Sequence, residues 1–156
     1  MKKHGLVSLI GETNSGKSTL VNALVNDKVS IVSHKVQTTR NQILGIYTNT
    51  NNQVVFIDTP GIFSPKKNMD SFIIRLAYSS LMEADVILVL LDANKGITNV
   101  FQELLKRLKN FKDKNIILVL NKIDLITKEN KTKLLELANE LYKTELFKEI
   151  FMISAL

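Results

Sequence analysis

Five short runs rich in branched apolar residues recur along the chain: Leu6 to Ile10, Val54 to Ile57, Val86 to Leu91, Ile116 to Leu120 and Ile150 to Ile153. Longer stretches of helical pattern separate them, and no other feature restricts the fold so strongly. Short apolar strands alternating with helices argue for helix crossovers and a mainly parallel sheet covered on both faces. The helical patterns cover Lys17 to Val25, Asp70 to Glu83, Asn99 to Asn110 and Lys131 to Tyr142. The segment Gln42 to Thr48 instead mixes polar and apolar residues, and Asn49 to Asn52 is a polar turn leading straight into the next strand. That pair is expected as an antiparallel hairpin at the sheet edge. The expected fold is therefore α/β, a six-stranded, mostly parallel sheet with helices on both faces and one antiparallel edge strand. Ligands of such sheets bind at the carboxyl ends of the strands.

The length of 156 residues and the 45% hydrophobic content fit one compact domain, residues 1–156, without repeats, low-complexity tracts or an internal linker. There is no cysteine, which removes disulfides, thiolate metal sites and a cysteine nucleophile, and points to a reducing cytosol. The run Val86 to Leu91 is far too short to span a bilayer, and Met1 to Gly5 lacks the apolar region of a signal peptide. A soluble, non-exported protein is expected. The net charge of +6 favours nucleic acid or an anionic membrane surface without identifying either. Many of the lysines, among them Lys106, Lys109, Lys112, Lys131 and Lys133, fall in amphipathic helical segments where a solvated charged face is expected anyway. His4 and His34 have no metal-ligand spacing around them and read as exposed loop or strand-edge residues. The phenylalanines are not interleaved with basic residues and read as core.

Directly after the first apolar run comes Gly11-Glu12-Thr13-Asn14-Ser15-Gly16-Lys17-Ser18, a full match to the phosphate loop G-x-x-x-x-G-K-[ST], opening into a helix with Thr19. Glycines let the backbone form a nest whose N–H groups point at phosphate oxygens, and the helix N-terminus adds partial positive charge. Lys17 is expected to reach the β and γ phosphates, and the Ser18 hydroxyl to ligate Mg2+. At the end of the second apolar run stands Asp58-Thr59-Pro60-Gly61. Asp58 would bind Mg2+, through water, and the unobstructed Gly61 N–H could touch a γ phosphate. By itself that tetrapeptide is an ordinary turn; paired with the phosphate loop it reads as a site.

Asn121-Lys122-Ile123-Asp124 follows the fourth apolar run. A carboxylate such as Asp124 can accept two hydrogen bonds from the ring N–H and exocyclic amine of guanine, a pattern adenine cannot offer. Asn121 would fix the loop and Lys122 would lie along the base plane. Ser154-Ala155-Leu156 follows the last run and would supply a backbone N–H near the guanine oxygen.

In this order and at these spacings, the four pieces resemble the translation-factor-related GTPases rather than the kinases or ATPases that share the phosphate loop. The stretch Lys28 to Arg40, followed by Ile43-Leu44-Gly45-Ile46, closely resembles the first switch of the Era-like GTPases. The run Asp58-Thr59-Pro60-Gly61-Ile62-Phe63 with Pro65-Lys66-Lys67 is similar to the same family, so the likeness covers residues 5–156. The resemblance implies a Ras-like G domain that hydrolyses GTP to GDP and phosphate with Mg2+ and uses the cycle as a switch. It makes Thr39 the switch threonine that joins Ser18 and Asp58 on the metal, and Thr59 to Lys67 the second switch. Ile62 stands where many small GTPases carry a water-orienting glutamine, and isoleucine cannot orient water. The family suggests a remedy, with Asn14 helping to coordinate K+ and so placing positive charge against the transition state. The implied catalytic set is Asn14, Lys17, Thr39, Asp58 and Gly61.

Thr13 and Ser15 depart from the proline and valine common in that family, and neither change removes a phosphate ligand. Era-like proteins continue into a last helix of the nucleotide domain and a KH domain that binds ribosomal RNA. The KH signature G-x-x-G is absent from this chain, so the chain is expected to be the nucleotide domain alone. For the full-length protein the resemblance implies binding of 16S ribosomal RNA, assembly of the small (30S) subunit, a cytoplasmic monomer, and loose association with the inner face of the membrane. Two rivals stand beside it. A K+-stimulated GTPase of tRNA modification or large-subunit assembly is opposed by the Gln37-Thr38-Thr39-Arg40 context, whereas a scaffold that holds GTP with little hydrolysis is kept open by Ile62. A third reading is a fragment that cannot fold, because one sheet face is left partly uncovered.

Overall fold

The computed structural model describes residues 3–26, 42–59 and 78–156. They form one six-stranded sheet in the order β2-β3-β1-β4-β5-β6, with β1 at Lys3–Gly11, β2 at Gln42–Thr48, β3 at Asn52–Asp58, β4 at Val86–Asp92, β5 at Asn115–Asn121 and β6 at Glu149–Met152. Only β2 and β3 pair antiparallel, as the mixed polar pattern of β2 predicts for an edge; every other neighbour pair is parallel. The hairpin turn is built by Asn49, whose side-chain oxygen accepts from Asn51 N (3.0 Å) and Asn52 N (2.7 Å), an asparagine mimicking backbone in a turn. The helices are α1 (Lys17–Asn26), α2 (Asn99–Leu108) and α3 (Lys131–Tyr142). Of the helix expected over Asp70 to Glu83, only 78–83 falls within the described residues, and there it is helical.

Successive side chains of a strand point to opposite faces, and the apolar runs use both. Ile10, Val89, Leu91, Leu118 and Leu120 face Phe101, Leu104 and Leu108 of α2 and Leu141 of α3. Leu9, Leu90 and Val119 face the other way, onto Leu20, Val21 and Val25 of α1. Each fully buried side chain of this kind contributes roughly 1.5 to 3 kcal/mol, and both faces carry a core. Cover on the α1 side is thinner near β6, where Phe151 remains 50% exposed. Among the described residues no helix is long and apolar enough to cross a membrane.

Several boundaries differ from the sequence reading. The α-helix expected to reach Asn110 ends at Leu108 and closes as a 3-10 turn, Lys109–Phe111. The tighter turn brings Phe111 into the core, where its ring stacks on Tyr78 with centroids 5.4 Å apart. The last strand is displaced by one residue, to Glu149–Met152, although the Ile153 N–H still donates to Leu120 O at 2.9 Å. Finally, β4 and β5 each extend one residue further than their apolar runs, so that Asp92 and Asn121 stand in register at the carboxyl edge. That extension places polar groups where the site is built.

Candidate functional site

Gly11 ends β1 beside β4, and a Cβ there would lie 2.5 Å from Leu90 O, so only glycine lets the strand leave the sheet at this point. The chain then turns through Ser15 N–H to Glu12 O (3.2 Å), with Asn14 in the left-handed region at φ 65, a conformation asparagine tolerates better than most residues. Gly16 follows at φ 99, where an added Cβ would lie 2.2 Å from the Asn121 amide nitrogen. Helix α1 opens at Lys17, with Ser18 and Thr19 exposed on its first turn. Its first N–H groups have no partner within the helix and, with the helix dipole, make an anion site. Lys17 reaches back across this loop, donating to Gly11 O (3.0 Å) and Glu12 O (3.1 Å).

Asp58 ends β3 opposite Leu9 of β1, on the same sheet edge. Burial pushes its carboxyl above the usual range, against the opposing pull of the Lys17 ammonium and the Thr59 N–H. Burial likewise holds Lys17 below the usual lysine value, with the Asp58 charge opposing. Both groups are thus partly desolvated, and neither fully compensates the other. Asp58 Oδ1 and Ser15 Oγ are buried and have no hydrogen-bond partner among the described residues. A carboxylate oxygen left open, and the Ser18 hydroxyl at a helix start, fit a hard divalent cation that takes oxygen ligands; the ammonium and helix N-terminus fit phosphate. Thr59 is anchored rather than loose: its hydroxyl and N–H both donate to Leu9 O, at 2.9 and 3.2 Å.

The other half of the site is wired by Asn121, which is 2% exposed. Its amide nitrogen donates to Ser15 O at 2.9 Å, and its amide oxygen accepts from Ala155 N at 3.0 Å. One side chain therefore ties the phosphate loop to the end of β5 and to the segment after β6. Lys122 is left-handed at φ 64 and leads into a 3-10 turn, Ile123–Leu125, on which Asp124 is exposed and open to a ligand. The Ile123 N–H donates to Ile153 O at 3.2 Å, closing the turn onto the last strand. Ser154 and Leu156 are exposed, while the Ala155 N–H is engaged by Asn121.

Gly11, Asn14, Ser15, Gly16, Lys17, Ser18, Thr19, Asp58, Asn121, Lys122, Asp124, Ser154, Ala155 and Leu156 all belong to loops and element ends at the carboxyl edge of the sheet. Thr39, Gly61, Ile62, His34, the first-switch stretch Lys28 to Arg40 and the Pro65-Lys66-Lys67 run lie outside the described residues. Sequence reasoning passed over Asp92, whose carboxylate pairs with Lys122 Nζ at 2.8 Å. It also passed over Thr98, which caps α2 by accepting from Phe101 N (3.1 Å) and donates its hydroxyl to the Glu12 carboxylate in the phosphate loop. A signal existed for Asp92, an acidic residue closing an apolar run as Asp58 does; none existed for Thr98, whose partner is 86 residues away.

Over 152 residues the chain is 48% identical to GTPase Era of Mesorhizobium japonicum, covering 97% of this chain and 48% of the relative. Against GTPase Era of Agrobacterium fabrum it is 48% identical over 153 residues, 98% of this chain and 47% of the relative. The chain therefore spans about half the length of the curated relatives it matches. Among solved structures, it superposes with a TM-score of 0.77 and 41% identity on Era in complex with MgGDPNP and nucleotides 1506–1542 of 16S ribosomal RNA, covering 100% of this chain and 52% of the other. On Aquifex aeolicus Era bound to GDP and AlF4− the TM-score is 0.75 at 41% identity, again over 100% and 52%. Residues 6–122, from the first strand through the phosphate loop to the asparagine and lysine that close β5, match the family described as 50S ribosome-binding GTPase, and the chain belongs to that family.

Proposed function

We propose that this chain is the nucleotide domain of an Era-like switch that binds GTP and hydrolyses it to GDP and phosphate. The observation that carries this reading is the bridge through Asn121, which ties the phosphate loop directly to the turn carrying Asp124. Phosphate recognition and base recognition are thereby held as one unit. The Lys17 ammonium rests on two loop carbonyls; phosphate oxygens, being charged, are stronger acceptors and would draw it away. Asp124 accepts from the guanine ring N–H and 2-amino group, and a base without those donors leaves the carboxylate unpaired.

Ser18 and Asp58 would hold Mg2+, with Thr39 of the first switch as a further ligand. When bound, the metal neutralises charge on the phosphate oxygens during transfer. Asn14, already in a left-handed turn at the loop's exposed rim, would hold K+ and add positive charge without an arginine. Loss of the γ phosphate would then release the two switch segments.

The likeness to Era in complex with a 16S ribosomal RNA segment supports RNA binding by the full-length protein and a role in small-subunit assembly. The family description names the 50S subunit, whereas that Era complex holds RNA of the small one, and we favour the small subunit because that likeness spans the whole chain. A cytoplasmic monomer with loose contact to the inner membrane face completes the reading.

The test is phosphate release from GTP and from ATP by this chain with Mg2+, in K+ and then in Na+. Release from GTP alone, faster in K+, is the expected result. Tight GTP binding with no release in either salt would replace the hydrolase by a scaffold that holds nucleotide. Equal handling of GTP and ATP would sink the guanine reading.

A further inference from the structure

Asp92 is the only buried ionisable side chain among the described residues, at 6% exposure, and nothing in the reaction outlined above uses it. It ends β4 in register with Asn121, and the two strands are joined one step further by Ala93 N–H to Asn121 O at 2.9 Å. Its carboxylate accepts from Lys122 Nζ at 2.8 Å and from the Asn94 N–H at 3.1 Å. Burial alone would raise this carboxyl, but the Lys122 ammonium and the N–H groups of Asn94 and Lys95 outweigh it and hold the group below its usual range. Asp92 is therefore charged at neutral pH and always available to the lysine.

Lys122 needs such a hold. Its backbone is left-handed, with φ 64 and ψ 37, an arrangement that side chains with a Cβ adopt rarely. No side-chain cap closes the 3-10 turn that begins there. The direction in which the Lys122 stem leaves this backbone rests on what its ammonium touches, whereas the turn that carries Asp124 is closed separately by the Ile123 N–H onto Ile153 O at 3.2 Å. With side-chain exposures of 27% for Lys122 and 8% for Asp92, the pair is too desolvated to count as a loose surface contact. Capping the turn at 92–95 would need only the two N–H bonds, so the lysine contact is an additional function of the same carboxylate.

We infer that Asp92 is a positioning residue of the guanine site: acting through Lys122, it holds the lysine stem where it lies along the base. This rests on the guanine reading proposed above. Because the lysine stem lies along the ring plane and does not read its edge, the loss should fall alike on a purine that offers Asp124 two donors and on one that offers a single donor.

The experiment measures GTP, ITP and ATP affinity and GDP release for the parent chain, Asp92→Asn, Lys122→Ala and the double variant. ITP lacks the 2-amino group, so the ratio of GTP to ITP affinity reports on Asp124. Asp92→Asn keeps an oxygen for the Asn94 N–H, and Lys122 at 27% side-chain exposure can turn its ammonium to water, so the variant should still unfold cooperatively in urea without nucleotide, at a midpoint below the parent's. It should weaken GTP and ITP alike, by roughly tenfold, as expected for loss of one charge-assisted hydrogen bond, with GDP release faster by the same factor. In the Lys122→Ala background the change should have no further effect. Parent-like affinity, or losses that add to those of Lys122→Ala, would overturn the inference and leave Asp92 as a turn cap. So would a loss of the GTP to ITP ratio, since that marks a collapsed turn. A parent chain that does not distinguish GTP from ATP would overturn the guanine reading itself, and this inference with it.

Discussion

The two halves of the site are finished to different degrees. On the base side, Asn121 uses both ends of its amide, Lys122 is paired, and the Ile123 N–H is closed onto the last strand. On the phosphate side, Lys17 rests on two carbonyls, while Asp58 Oδ1 and Ser15 Oγ have no partner among the described residues. The difference teaches how binding energy is distributed. The base side is preorganised by the fold, so little ordering opposes its ligand. The phosphate side keeps desolvated charges that an anion and a cation would satisfy together, and on the proposed reading it is the half whose state would change with the nucleotide.

The contrast is broken most severely at Lys17. Lys17→Ala should lower GTP affinity by roughly a hundred- to a thousandfold, yet leave the nucleotide-free unfolding midpoint within about 1 kcal/mol of the parent. Calorimetric titration and urea unfolding on the same preparation check both statements, and a large loss of stability would show that the phosphate side is structural after all. Next in size, Asp124→Asn should cost on the order of a hundredfold in the preference for GTP over ATP, read by competition binding. Unchanged discrimination would remove Asp124 from base recognition.

Asn121→Ala sharpens the comparison from the other side. It strands the buried Ser15 O and Ala155 N–H and should destabilise the chain by about 2 to 3 kcal/mol even without nucleotide. Parent-like urea unfolding would mean that the base side is not wired as described. The smallest effect is expected at Asp58. Because burial raises its carboxyl, the folded chain holds that proton more tightly than the unfolded chain does. Its contribution to stability is fully present below the ordinary carboxylate range and is lost as pH rises through the raised value. Asp58→Asn, which does not ionise, should therefore gain on the parent as pH rises from the ordinary carboxylate range through the raised value, by under about 1 kcal/mol because the group is only partly buried. Adding Mg2+ with GDP should stabilise the parent far more than the variant, and equal gains would show that Asp58 does not serve the metal.

Much of this site was legible because its parts are local. Gly11 to Ser18 is one continuous loop whose glycines and lysine have a meaning at fixed spacing, and the apolar runs around it announce the parallel strands that must present it. The same holds for Asp58 and Asn121, each directly after an apolar run, and for Asp124 in the turn that follows. The pairing of Asp92 with Lys122 was not legible, although both residues end apolar runs, because nothing in a linear pattern says that β4 and β5 are neighbours in register. The Thr98 to Glu12 contact was further out of reach, joining a helix cap to a loop 86 residues earlier.

By itself, then, the order of residues determined the strand and helix periods, the polar edge hairpin and the phosphate loop, since each arises from interactions within about ten residues. Tertiary structure alone decided which strand lies beside which, that Asn121 spans three segments, that Thr59 is fastened to Leu9, and that Lys17 and Asp58 are partly buried side by side. Those outcomes depend on side chains far apart in sequence being brought within hydrogen-bonding distance, and on the water removed when both sheet faces are covered.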